Sequence, residues 1–292
     1  MNLKNIVINS LAASLLCGSS LSVLANEFPF KIAVIQNAVG TKDISSGNYN
    51  KFINSQPNDD TIEGAFERNM NLCAAYINTA KFQCIFVDLR GYGLSKHILG
   101  EYTCNEASND IKNLIQNLQL QNIHIVAHSM STMIAQKLAL LAKESISTLI
   151  LITPIFASGI KLSISQEKKL LEQMSKKEGS IEEIVLSASK RYNSSWVQNR
   201  VNMAYNASIM EARVGYMKMY LSTDFSSEVV NIEIPIRIII GKHDFPIFAK
   251  RSIQKQFSVY KDIEISECQE AGHYPMLECP VYFASELEKF CK

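Results

Sequence analysis

The pentapeptide Ala127-His128-Ser129-Met130-Ser131 stands between an apolar run, Ile123 to Ala127, and a helical pattern from about Thr132 to Ala142. A strand that turns sharply into a helix lifts a serine at the turn above the end of a sheet. The residues flanking such a turn must be small, and Ala127 and Ser131 are. A serine hydroxyl is a weak nucleophile until an imidazole accepts its proton, and the imidazole needs a carboxylate to orient it. Asp244 follows the run Ile234 to Ile240 through Gly241-Lys242-His243, at the carboxyl end of a predicted strand. His273 lies in Glu270-Ala271-Gly272-His273-Tyr274-Pro275, after a predicted strand around Ile263. Of the five histidines, His97 falls in a loop, His124 in a strand, His128 in the turn and His243 beside the acid. Only His273 comes after Asp244 in a loop that can reach Ser129. The chemistry this set would perform is acyl transfer: Ser129 attacks, His273 serves as base and then acid, Asp244 orients His273, and Met130 N–H holds the oxyanion.

The elements that must position these residues are legible from Cys84 onward. Cys84-Ile85-Phe86-Val87 is a continuous apolar run, the pattern of a strand buried on both faces, and it ends in the glycine-bearing loop Asp88-Leu89-Arg90-Gly91-Tyr92-Gly93. Thr103 and Glu106 form the Thr-x-x-Glu pattern of a capping box, followed at helical spacing by Ala107, Ile111, Leu114, Ile115 and Leu118. The strand Thr148 to Ile152 comes next, then Ile234 to Ile240 and Asp262 to Ile265, and a last amphipathic helix carries Val281, Phe283, Leu287 and Phe290. Short strands alternating with helices predict a parallel sheet with right-handed crossovers. Between Pro154 and about Val230 the strand pattern stops, and helices are expected over Lys168 to Met174, Ile181 to Arg191 and Val201 to Tyr220.

These motifs in this order resemble the α/β-hydrolase superfamily over 84–292. The stretch Val87-Asp88-Leu89-Arg90-Gly91-Tyr92-Gly93-Leu94-Ser95 is similar to the loop after that family's fourth strand, and the chain order serine, aspartate, histidine is the one its fold uses. The turn departs from the family in having Ala127 and Ser131 at its two usual glycines. The resemblance implies an α/β fold with a doubly wound, mostly parallel sheet, preceded by a short α-helical segment. It makes about 155–230 a helical cap over the substrate pocket, as in cap-containing esterases and lactonases. Trp196, Met203, Tyr205, Met210, Tyr216, Met217 and Tyr220 would give that cap apolar surfaces suited to a small, largely apolar carboxylic ester, lactone or related acyl compound, with no cofactor and no metal. Each of them is equally a packing residue of the cap helices. Carbon–carbon bond cleavage and acyl transfer are other chemistries of the same triad. Epoxide hydrolases and haloalkane dehalogenases of this fold carry aspartate at the Ser129 position, which disfavours them.

The N-terminal part reads differently. Lys4 precedes an apolar stretch from Ile6 to Cys17, and Val23 and Ala25 occupy small-residue cleavage positions, so 1–25 is expected to be a secretory signal removed on export to the periplasm or beyond. The stretch is too short for a stable membrane span. Cleavage would leave six cysteines, Cys73, Cys84, Cys104, Cys268, Cys279 and Cys291, in a compartment that permits disulfides, with the connectivity open. The segment 26–83 is expected to be helical. Within 40–83, Gly47-Asn48-Tyr49 repeats as Ala80-Lys81-Phe82 at an offset of about 33 residues, a weak resemblance to a tetratricopeptide repeat. Such helices would give the chain a protein partner.

That segment raises a difficulty. In the hydrolase family the third strand lies between the fourth strand and the nucleophile strand, and the loop after it supplies the second oxyanion donor. No His-Gly precedes Cys84 at a family-like distance. Either Lys31-Ile32-Ala33-Val34-Ile35 is the missing strand, with Gln36-Asn37-Ala38 as its loop, or a repeat fragment is fused to a hydrolase without its first three strands. The repeat spacing ends just where the hydrolase pattern starts, which favours the fusion and an impaired enzyme. A catalytically silent, hydrolase-like binding protein that uses the N-terminal helices is the alternative function. Composition narrows the rest: 29 lysines and arginines nearly balance 28 aspartates and glutamates, leaving no basic run for nucleic acid, and 47% hydrophobic residues suffice for a large core.

Overall fold

Apolar runs of the sequence become six parallel strands of one sheet in the computed structural model, which describes residues 30–36, 76–78, 80–175, 180–188 and 191–291. The strands are β1 (Phe30–Gln36), β2 (Phe82–Asp88), β3 (Ile123–His128), β4 (Ile146–Ile152), β5 (Ile236–Gly241) and β6 (Ile263–Cys268), in the spatial order β2-β1-β3-β4-β5-β6. Helices α1 (Cys104–Asn117) and α2 (Ser131–Leu141) follow β2 and β3. Four helices, α3 (Ile164–Met174), α4 (Ser180–Ala188), α5 (Ser194–Ala207) and α6 (Met210–Ser222), intervene between β4 and β5. Helix α7 (Lys250–Gln256) precedes β6, and α8 (Pro275–Glu278) and α9 (Pro280–Phe290) end the chain. No helix among the described residues is long and apolar enough to cross a membrane.

The strand beside β3 corrects the reading that favoured a fusion. Lys31 pairs with Ile123 and Ile35 with Ala127 on one side of β1, while Phe30 pairs with Phe82 and Gln36 with Asp88 on the other. The place between the fourth strand and the nucleophile strand is therefore filled. A strand that starts 52 residues before β2 fits there because a parallel neighbour needs only backbone donors and acceptors in register. Phe30–Gln36 is thus strand rather than part of a helical segment, although the repeat-like stretch 40–83 falls almost wholly outside the described residues.

Successive side chains of a strand point to opposite faces, and the sheet buries both. Ile85 and Val87, Ile125 and Ala127, Leu149 and Leu151, and Ile236, Ile238 and Ile240 pack with α1, α2 and Phe257. Phe82 and Phe86, Val126, Ile150 and Ile152, and Ile239 meet Phe283, Leu287 and Phe290 of α9. Each such side chain, fully buried, stabilises the fold by about 1.5–3 kcal/mol. At the start of α1, Thr103 accepts from Glu106 N–H as expected, but the Glu106 carboxylate reaches past the cap to Tyr102 N–H at 2.9 Å.

Helices α3 to α6 share a core of their own, made by Met174, Val185, Val197, Val201, Met217 and Leu221. The single helix expected over Val201 to Tyr220 is two. Ser208 and Ile209 are extended, because Ser208 pairs with Tyr92 and Ile209 N–H donates to Gly91 O at 3.0 Å. Gly91 allows this: its φ is +75°, and a Cβ there would lie 2.3 Å from the Ala212 Cβ. The loop after β2 is thereby fastened to the break between α5 and α6, and Tyr216 of α6 inserts between Tyr92 and Tyr102 of the main core, with ring centroids 5.8 and 5.5 Å away.

Two histidines, His124 buried within β3 and His128 half-buried at its end, make stability depend on pH. Burial holds His124 in β3 down at about 4, and burial together with the neighbouring His273 holds His128 well below the ordinary value. In the unfolded chain both would titrate near 6.5. Below that pH the unfolded state takes up protons that the folded state refuses, so stability present above 6.5 is lost as pH falls towards 4. The melting temperature is expected to fall across this window, and less steeply in His124→Asn. Equal slopes for the two proteins would refute the assignment.

Candidate active site

Ser129 follows β3 with φ +53°, a left-handed conformation that costs a non-glycine residue about 1–2 kcal/mol. The turn is held from several directions. Ser129 N–H donates to Ile152 O at 2.9 Å, Thr132 N–H returns to Ser129 O at 3.0 Å, and Ser131 Oγ donates to His128 O at 2.8 Å. Ser131 is fully buried and Ala127 nearly so, which is why small residues are required at these positions even without glycine. Behind the turn, Ile155 N–H donates to Thr132 Oγ1, Gln136 Nε2 donates to Ile155 O, and Gln136 Oε1 accepts from Ala157 N–H and Tyr260 OH. This buried network ties α2 to the segment after β4 and leaves little freedom to the serine.

The structure brings the three distant residues together. His273 Nε2 lies 3.1 Å from Ser129 Oγ, and His273 Nδ1 lies 2.8 and 3.0 Å from the two carboxylate oxygens of Asp244. The Asp244 side chain is 1% exposed, so its charge acts through little solvent. Backbone pairing aligns the acid loop with the histidine loop: Lys242 N–H donates to Cys268 O and His243 N–H to Ala271 O, both at 2.9 Å. Gly241 permits that approach, since a Cβ there would stand 2.0 Å from Gly272 O. Met130, the residue after Ser129, sits at the start of α2, where N–H groups lack intrahelical acceptors and the helix dipole favours negative charge. Strand β1 ends at Gln36, and the segment after it lies outside the described residues.

Two residues given no role by sequence reasoning hold His273 through its backbone. The Glu278 carboxylate accepts from Gly272 N–H at 2.7 Å and from Tyr274 N–H at 2.8 Å, the amides on either side of His273. It also accepts from Tyr192 OH at 3.1 Å, which links the histidine loop to the segment between α4 and α5, and burial followed by this carboxylate pushes the Tyr192 hydroxyl up to about 12. His128 Nε2 is 2.8 Å from His273 O. A carbonyl only accepts, so Nε2 carries the proton and the depressed basicity of His128 keeps the ring neutral. The signal for Glu278 was weak: a carboxylate five residues past a histidine has no meaning until the loop curls back on it.

Glu278→Ala is expected to lower kcat about 100-fold with KM little changed, because two part-buried N–H groups lose their acceptor and His273 shifts. Glu278→Gln, which keeps one acceptor, should lose less. Steady-state kinetics of both variants checks this, and unchanged kcat in Glu278→Ala would remove the residue from the site.

The apolar surroundings differ from those expected of the cap. Tyr216 is part of the main core and Met217 of the core shared by α3 to α6, so neither is available to a ligand. Tyr205 lies under Arg213, with 5.1 Å from the guanidinium to the ring centroid. Trp196 is the aromatic that approaches the site: it stacks on Tyr192 and stands 5.9 Å from Tyr274, whose ring also carries the Arg200 guanidinium at 4.6 Å. Phe248 and Phe245 also lie beside His273, at 5.0 and 6.1 Å between centroids.

A sequence profile of the alpha/beta hydrolase fold matches residues 64–278, and the chain belongs to that family. No curated protein matches it in sequence. Among solved structures it is similar to a hydrolase from Oleispira antarctica (14% identity, TM-score 0.72, 90% of each chain covered) and to an esterase from Exiguobacterium antarcticum (17%, 0.72, 91% of this chain and 92% of the other). It is also similar to the enol-lactonase of Burkholderia xenovorans LB400 (17%, 0.64, 91% and 92%). At these identities the likeness is one of fold.

Proposed function

We propose that the chain is a serine hydrolase acting on a small, largely apolar carboxylic ester, lactone or related acyl compound through an acyl-enzyme. The observation that carries this reading is the unbroken chain of contacts from Ser129 Oγ through both nitrogens of His273 to Asp244, built on a turn with φ +53°. His273 Nε2 takes the hydroxyl proton as Ser129 Oγ attacks the carbonyl carbon. Asp244 stabilises the imidazolium that forms. Met130 N–H, at the start of α2, receives the oxyanion. His273 then gives its proton to the leaving alcohol, and water repeats the sequence in reverse order on the acyl-enzyme. Phe245, Phe248 and Trp196 favour an apolar acyl or alcohol group. The leader-like composition of 1–25 supports a location in the periplasm or outside the cell.

A fluorophosphonate probe is expected to label the folded chain on Ser129, and short activated esters to be cleaved. A well-folded preparation that does neither would overturn the reading and leave the binding-protein alternative.

A further inference from the structure

The loop that carries His273 is braced within itself, but internal bonds do not place it. Glu278 and the two amides it binds, Gly272 and Tyr274, belong to one short stretch of chain. Where His273 stands relative to Ser129 has to be set by contacts with other elements. The end of β3 and the turn after β5 supply two, His128 Nε2 to His273 O at 2.8 Å and His243 N–H to Ala271 O at 2.9 Å. Further contacts come from a segment to which the proposed chemistry gives no part, the connection between α4 and α5 and the first turns of α5.

Tyr192 precedes the helix-capping residue Asn193, whose Oδ1 accepts from Trp196 N–H at 3.0 Å and fixes the start of α5. The Tyr192 ring stacks on Trp196, with 4.8 Å between centroids and 26° between planes. Its hydroxyl reaches Glu278 Oε2, the same oxygen that holds Gly272 N–H. Trp196 and Arg200, one turn apart on α5, both meet the Tyr274 ring, at 5.9 and 4.6 Å. Beside Tyr192, Arg191 donates to Glu270 O at 2.6 Å.

These contacts differ in weight. The Arg191–Glu270 pair is largely exposed, and such a pair contributes little. The ring contacts on Tyr274 have no single fixed direction. The Tyr192 hydroxyl is directional, partly buried and donated to a carboxylate, which is the stronger class of hydrogen bond. We propose that Tyr192 is a positioning residue of the base: acting through Glu278, it ties the His273 loop to α5 and holds Nε2 within reach of Ser129 Oγ. This role rests on the reading of His273 as the base, whereas the tie between Tyr192 and the loop does not. The phenol, pushed up to about 12 by burial and then by the carboxylate, stays protonated in a neutral assay, so it donates and Glu278 accepts.

Tyr192→Phe keeps the ring on Trp196 and removes only the hydroxyl. It is expected to lower kcat for a short activated ester about tenfold, with KM within about twofold of wild type, because a small displacement of the base costs turnover and not binding. In a Glu278→Ala background the same substitution should change kcat by less than about twofold, since the carboxylate through which it acts is gone. Additive losses in the double variant, or a loss confined to KM, would put Tyr192 on the substrate or in the general packing and overturn the assignment. Amide hydrogen exchange followed by NMR reads the tie without any turnover. The Gly272 and Tyr274 amides are expected to exchange about fivefold faster or more in Tyr192→Phe, while the amides of β5 keep their wild-type rates. Unchanged exchange at Gly272 and Tyr274 overturns the tie. Faster exchange with wild-type kcat overturns the positioning role. Faster exchange in a chain that no fluorophosphonate labels would instead count against the hydrolase reading and leave the tie standing.

Discussion

Ser129→Ala is expected to lower kcat/KM for a short activated ester by about 10⁵- to 10⁶-fold and to abolish fluorophosphonate labelling, while the melting temperature barely moves. The size of the loss follows from the number of functions that pass through one oxygen. Without Oγ there is no acyl-enzyme, His273 has no proton to accept, and Asp244 orients a base with nothing to activate. The residual rate comes from polarisation of the bound carbonyl by the oxyanion donor alone. Stability should survive because the turn is held by main-chain bonds, Ser129 N–H to Ile152 O and Thr132 N–H to Ser129 O, which alanine keeps. Ser129→Gly separates function from fold more sharply. Glycine accepts φ +53° without penalty, so this variant should be about 1 kcal/mol more stable than wild type and equally inactive. Thermal denaturation and ester hydrolysis on the three proteins check both points. An active Ser129→Ala would sink the proposed nucleophile, and a destabilised Ser129→Gly would sink the claim that the turn is strained.

The difference between what was legible and what was not lies in the range of the interactions. Strands β3, β4 and β5 announced themselves because both faces of the sheet are buried there and most of their residues are apolar. Ser129, Asp244 and His273 were legible for a related reason: each sits just past such a strand, so chain order alone suggested where they would meet. Strand β1 was readable as Lys31 to Ile35, yet its partner β2 starts 52 residues after β1 does, and nothing local says that two parallel strands so far apart will be neighbours. Register between parallel strands is a tertiary fact. The break at Ser208 and Ile209 was hidden likewise, since helical periodicity runs straight through it and only the docking of Gly91 and Tyr92 interrupts it. Glu278 and His128 act on the backbone of His273, and a side chain that satisfies main-chain groups leaves no spacing pattern to find.

Asp244→Asn should reduce kcat by about 10⁴-fold with KM little altered, a larger effect than loss of the positioning residue Glu278. The substitution is nearly isosteric in a side chain that is 1% exposed, so geometry is preserved and the change is one of protons. In wild type, Oδ1 already accepts from Phe245 N–H at 2.7 Å, and both oxygens face His273 Nδ1. A carboxylate can only accept, which fixes the proton on Nδ1 and leaves the Nε2 lone pair towards Ser129 Oγ. Asparagine will keep its carbonyl oxygen on Phe245 N–H, because the alternative sets two donors against each other. Its amide nitrogen then faces Nδ1 as a donor. Nδ1 must become the acceptor, Nε2 takes the proton, and the imidazole presents an N–H to a hydroxyl whose proton it should receive. The imidazolium also loses the one negative charge in contact with it. Imidazole nitrogen NMR should therefore show the protonated nitrogen changing from Nδ1 to Nε2 in the variant, in step with the loss of turnover. If turnover falls with the tautomer unchanged, the charge of Asp244 accounts for its effect and the orienting role is wrong; if turnover stays within tenfold of wild type, Asp244 is not the acid of this site.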